Sequence, residues 1–137
     1  MKRILYIMLL TIGMIFSSNT KAQNYIGYSF YDIHSQMNLK GFAVESGRTE
    51  HNTKYIMATA SDQIRLYYFN EQNICLRYVY SISGITYNML DEVLRKNGYS
   101  KGSDGKYKDY TSQYVATVEY HSTYKEWYVT VDLINKQ

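Results

Sequence analysis

Two stretches of the chain follow one plan. "SFYDIHSQMNLKG" runs from Ser29 to Gly41 and "TYNMLDEVLRKNG" from Thr86 to Gly98, so cap and glycine stand 12 residues apart in both. Ser29 and Thr86 carry hydroxyls that can accept from the free N–H groups of a first helical turn. Asp32, three residues after Ser29, comes close to a capping box. Tyr28 with Ile33, and Ile85 with Leu90, stand at hydrophobic-staple positions. Phe30, Ile33 and Met37 share one helical face, as do Met89, Leu90, Val93 and Leu94. Arg95 and Lys96 suit the negative C-terminal end of the second helix. A glycine then permits the left-handed stop, and an aromatic, Phe42 or Tyr99, follows it.

The rest of the chain favours strands. Proline is absent, and 16 of the 17 tyrosines lie beyond residue 22; tyrosine fits a pleated, half-buried surface. Period-two alternation predicts strands over 41–46, 54–60, 63–70 and 74–81 after the first helix. After the second helix it predicts strands over 106–110, 113–120 and 126–134. The links "SD", "EQN", "TS" and "HSTYK" are short, which makes neighbouring strands antiparallel. The expected fold is therefore α+β: an antiparallel sheet with two helices on one face, in the order α-β-β-β-β-α-β-β-β. The shared helix plan predicts a duplicated unit; the competing reading is two short helices with ordinary caps.

Facing follows from the same alternation. Trp127, Val129, Val131 and Leu133 point to the core, as do Tyr114, Ala116, Val118 and Tyr120. In 63–70 the expected core row is Ile64, Leu66 and Tyr68, and in 74–81 it is Ile74, Leu76, Tyr78 and Tyr80. That places Arg65, Tyr67, Phe69, Cys75, Arg77 and Tyr128 on the opposite, helix-free face, which faces water.

The N-terminus has the layout of a secretory signal peptide: Lys2 and Arg3, an apolar run over 4–16, then "SSNTKAQ" with Thr20 and Ala22 before a cut at Gln23. Thirteen apolar residues make a helix of about 20 Å, too short for a bilayer core of about 30 Å. The expected product is an exported domain over 23–137, periplasmic or extracellular, with no membrane span after cleavage. Removing 22 of 137 residues leaves 115, one domain's length. The segment carries Lys2, Arg3 and Lys21 of the 15 basic residues and none of the 12 acidic ones, so the two signs then balance at 12 each. A balanced surface gives no footprint for nucleic acid or anionic lipid.

No catalytic motif is present: there is no GxSxG, P-loop or dinucleotide fingerprint. His34, His51 and His121 lack metal-ligand spacing, so no metal and no cofactor are expected. Asp91 and Glu92 read as solubilising, and "SKGSDGKYKD" lacks the repeated acids of a calcium loop. Cys75, the lone cysteine, has three readings: a small buried hydrophobe, an intermolecular disulfide or a reactive thiol. The first is favoured, because no histidine is placed beside it to act as a base.

The repeated pattern of helix, Gly-aromatic and antiparallel strands resembles the tandem architecture of β-lactamase-inhibitor-protein-like secreted domains. With its "YYFNEQNICLRY" hairpin the chain is also similar to small secreted Gram-negative proteins of unknown function. The resemblance implies a tandem α/β fold. The chain has no cysteine pair for the inhibitors' disulfide, and no functional residue carries over, so inhibition is not implied. The expected function is a non-catalytic binding module acting through Arg65, Tyr67, Arg77 and Tyr128, since tyrosine and arginine favour interfaces. The expected ligand is a protein or a cell-envelope glycan; the alternatives are a carbohydrate-binding module and a small enzyme.

Overall fold

The first helix, α1, spans Phe30–Leu39, and the Ser29 Oγ accepts from the Asp32 N–H at 3.2 Å. It ends in a Schellman motif. Gly41 takes φ +85°, its N–H donates to the Asn38 carbonyl, and the Phe42 N–H donates to the Met37 carbonyl. The second helix, α2, spans Tyr87–Lys96 and is capped by the Thr86 Oγ1, which accepts from the Met89 N–H at 3.3 Å. Gly98 closes it at φ +87°. Phe30, Ile33 and Met37 are buried, as are Leu90 and Leu94. Met89 departs from expectation and is 52% exposed. Tyr87 and Asp91 instead share the inward side with Leu90 and Leu94, and their polar tips are satisfied there by hydrogen bonds.

The computed structural model describes residues 25–111 and 113–134, so the signal peptide expected over 1–22 lies outside the described residues. Eight strands form one antiparallel sheet: β1 Ala43–Arg48, β2 Lys54–Thr59, β3 Gln63–Phe69, β4 Cys75–Ile82, β5 Tyr99–Lys101, β6 Tyr107–Asp109, β7 Tyr114–His121 and β8 Glu126–Leu133. Their order across the sheet is β1-β2-β3-β4-β8-β7-β6-β5. The expectation held seven of these. The eighth, β5, has three residues, too few to show an alternation. No helix among the described residues is long and apolar enough to cross a membrane.

The sheet is a two-fold repeat, each half being one helix and four strands. Adding 51 to the numbers of β3 and β4 carries their register onto β7 and β8: Leu66 faces Val79, and Thr117 faces Thr130. The same shift exchanges the pairs Tyr78–Val131 and Tyr80–Val129, so the two-fold axis stands at the pair Val79–Thr130. An axis through an antiparallel pair runs perpendicular to the sheet, which puts both helices on one face. The outer hairpins differ in length. Ala43 pairs with Thr59, sixteen residues on, whereas Ser100, its equivalent beyond Gly98, pairs with Lys108, eight residues on.

The core lies between helices and sheet. Ile56, Tyr67 and Tyr78 form one cross-strand row, each almost wholly buried. In β3 the facing is therefore the reverse of the expected one: Tyr67 and Phe69 are core, and Ile64, Leu66 and Tyr68 face away. Both rows are apolar, so hydrophobic alternation cannot choose between them. The aromatic row goes inward because it finds partners there. Tyr67 OH donates to Met37 Sδ at 3.5 Å, and Phe69 packs edge-on against Phe30 with ring centres 5.1 Å apart. In β4 a bulge sets Cys75 opposite Phe69 and Arg77 opposite Tyr68. It turns Cys75 into the core, against expectation, and leaves Leu76 exposed.

Candidate functional site: the helix-free face

Three cross-strand rows build the face that no helix covers. The middle row is Met57, Leu66, Val79, Thr130 and Thr117, centred on the two-fold axis. Beside it run Tyr55, Tyr68, Arg77, Asp132 and Val115. On the other side lie Thr59, Ile64 and Ser81 from the first half, with Tyr128 and Glu119 from the second. Most of these side chains are half-buried by their own neighbours. Two depressions divide the face. One, of about 650 Å³, is floored by Ile64, Leu66, Tyr68, Val79, Tyr128 and Thr130. The other, of about 920 Å³, contains Arg77, Asp132, Leu76, Lys106 and Lys108; Tyr68 lines both.

The polar groups are mostly paired laterally. Arg77 Nε donates to Asp132 Oδ1 at 2.5 Å across the central joint, with the arginine side chain about half exposed. Such a pair contributes at most about 1 kcal/mol. Ser81 Oγ donates to the Trp127 carbonyl at 2.8 Å and lies 3.3 Å from Glu126 Oε2. The His121 ring stands edge-on to Tyr128, centres 4.6 Å apart. Burial, then the nearby Glu126 and Tyr124, push the Tyr128 phenol above its ordinary range. It stays a neutral hydroxyl at physiological pH.

Of the four residues expected here, Arg77 and Tyr128 lie on this face. Arg65 and Tyr67 do not: both point under the helices, where Tyr67 is fully buried. The error is one of parity in β3, since a single-residue slip of facing moves every side chain across the sheet. The residues missed are Ile64, Leu66 and Tyr68; their alternation was visible, and its direction was not.

Cys75 is fully buried, its thiol pushed up to about 12 by burial, and its Sγ–H donates to the Arg77 carbonyl. A thiolate is the reactive form, so this cysteine is a wall. Among the described residues no three His, Cys, Asp or Glu side chains converge to hold a metal. Asp91, expected to be merely solubilising, ends a hydrogen-bonded chain instead. Lys101 Nζ donates to Tyr87 OH at 2.6 Å, Tyr87 OH meets Tyr107 OH at 3.1 Å, and Tyr107 OH donates to Asp91 Oδ1 at 2.5 Å. That chain pins α2 to β5 and β6. Comparison with protein-family models, with curated proteins and with solved structures returned no match.

Proposed function

We propose that this chain is an exported, non-catalytic binding module that docks a folded protein on its helix-free sheet face. The observation that carries the reading is the middle row: Met57, Leu66 and Val79 form an apolar strip across three strands where a solvated sheet would present polar side chains. Around it lie charges of both signs, Arg77, Lys106 and Lys108 with Asp104, Asp132 and Glu126. An apolar centre with a polar rim of no single sign is the anatomy of a protein–protein interface. The signal-peptide layout of residues 1–22 supports export. Partners recovered with the wild-type protein under native conditions are to be compared with those of Leu66→Ser/Val79→Ser. Specific partners should fall at least about tenfold, as loss of central contacts costing more than about 1.4 kcal/mol requires. Equal recovery by a folded double variant would place the interface elsewhere.

A glycan is the second reading. Tyr68, Tyr124 and Tyr128 line the first depression together with the hydroxyls of Thr59, Ser61, Ser81 and Ser83. Rings flanked by hydroxyls suit a sugar's apolar face and polar edge. Envelope oligosaccharides titrated against the protein should then perturb the Tyr124 and Tyr128 ring resonances; titrations that leave both unmoved would remove this reading.

A further inference from the structure

The opposite side of the sheet holds a small cavity under the helices. A cavity of about 80 Å³ is lined by Tyr25, Arg65, Tyr67, Tyr78, Tyr80 and, from α2, Val93. The two-fold repeat supplies an internal control for it. Shifted by 51, Arg65 falls on Ala116, Tyr67 on Val118, Tyr78 on Val129 and Tyr80 on Val131. Ala116, Val129 and Val131 are an ordinary buried apolar core. The fold is therefore satisfied with alanine and valine at these positions, and the first half departs from that with a guanidinium and three phenols.

Among the described residues the cavity holds a cation and no carboxylate. Arg65 has five N–H donors. Its Nε donates to Gln63 Oε1 at 3.1 Å, its Nη1 reaches Tyr25 OH at 3.4 Å, the guanidinium also hydrogen-bonds the Tyr67 hydroxyl, and its plane lies over the Phe42 ring at 5.0 Å. Tyr25 OH also accepts from Lys40 Nζ at 2.9 Å, so two cations converge on one phenol oxygen. Neither Arg65 nor Lys40 has a carboxylate partner among the described residues. Burial raises the Tyr67 and Tyr78 phenols, and Tyr80 to about 12, which keeps all three hydroxyls protonated. The half-buried Arg65 cation is thus held by phenol, amide and ring partners with no counter-charge among the described residues, and a desolvated cation without a counter-charge is costly.

We propose that this crevice binds a small organic carboxylate. The carboxylate would accept the remaining guanidinium N–H groups and the Tyr80 hydroxyl, while a short apolar stem lies against Ile82 and Val93. Planar bidentate pairing is what arginine supplies and lysine does not. The cavity, of about 80 Å³, has room for more than one water-sized group. A short acid of two to four carbons is the ligand class proposed.

Sodium propionate is the probe, titrated at constant ionic strength while the Arg65 Nε–H and Tyr80 ring resonances are followed. Propionamide, of the same shape and uncharged, is the control. Saturable shifts with propionate and none with propionamide are expected. Arg65→Gln should weaken binding at least about tenfold, the loss of one charge-assisted hydrogen-bond pair. Tyr80→Phe, which keeps the ring, should weaken it several-fold. Linear shifts, equal binding of the amide, or undiminished binding by Tyr80→Phe would overturn the proposal even if Arg65→Gln fails to fold. Leu66→Ser/Val79→Ser, on the other face, should leave the propionate titration unchanged, so this site and the protein-docking face stand or fall separately.

Discussion

Cys75 and the buried tyrosines give the molecule its pH behaviour. The thiol, ordinarily near 9.0, is pushed up to about 12 by burial, and Tyr80 rises from 10.0 to about 12. Each group keeps its proton in the folded state and loses it in the unfolded chain once the pH passes its ordinary value. The unfolded state then binds fewer protons, so stability falls as pH rises. Urea midpoints should be flat from pH 6 to 8 and should drop from about pH 9 to 12, by roughly 1.4 kcal/mol per unit for each group titrating. A midpoint rising over that range would contradict the burial of these groups. The same burial predicts that a thiol reagent at pH 8 leaves Cys75 unmodified in the native protein and labels it fully in denaturant. At Arg65 the repeat makes a further prediction. Arg65→Met imports the apolar character that the equivalent Ala116 already has, so thermal stability should hold or rise by about 1 kcal/mol. A large loss would mean the guanidinium is a structural strut, with its Phe42 and Tyr25 contacts indispensable.

At the scale of elements, each helix rests on a local punctuation that is testable. Thr86→Ala removes the acceptor for the Met89 N–H and should cost about 1 kcal/mol. Gly98→Ala should cost at least as much. Its φ is +87°, and an added methyl would sit 3.3 Å from the Tyr110 ring. Urea denaturation of the two variants checks both. These local signals are why the helices were legible in sequence: a hydroxyl, an apolar stripe and a glycine are all read within a dozen residues. Strand existence was legible too, through alternation. Strand facing was not legible in β3, where Ile64, Leu66 and Tyr68 are as apolar as Tyr67 and Phe69. The decision came from partners distant in sequence: Met37, Phe30 and Tyr25. The bulge that turns Cys75 inward is set by the pairing of β3 with β4, a non-local fact. In the candidate site, Arg77 and Tyr128 were correctly placed because β8 and the centre of β4 have one plainly polar face. Arg65 and Tyr67 were misplaced with the rest of β3.

For the whole molecule, the two halves meet only through one strand pair in the sheet, β4 with β8, whose axis residues are Val79 and Thr130. Apolar side chains from both halves, Tyr78 and Val131 among them, face each other across that joint. The halves should therefore unfold together, with β4 and β8 amides exchanging last and those of the short β5 and β6 first; two resolved transitions would contradict this. A sheet covered by helices on one side leaves the other to solvent or to a partner, and here that side carries the Met57–Leu66–Val79 strip. The most direct measurement is site-specific photocrosslinking in cells that express the full chain. A photoreactive residue is placed at Leu66 on the helix-free face, or at Glu92 on the exposed surface of α2. The account predicts a discrete protein adduct from position 66, abolished by Tyr68→Ala/Tyr128→Ala, and none from position 92. Adducts of equal yield from both positions, or from position 92 alone, would contradict it.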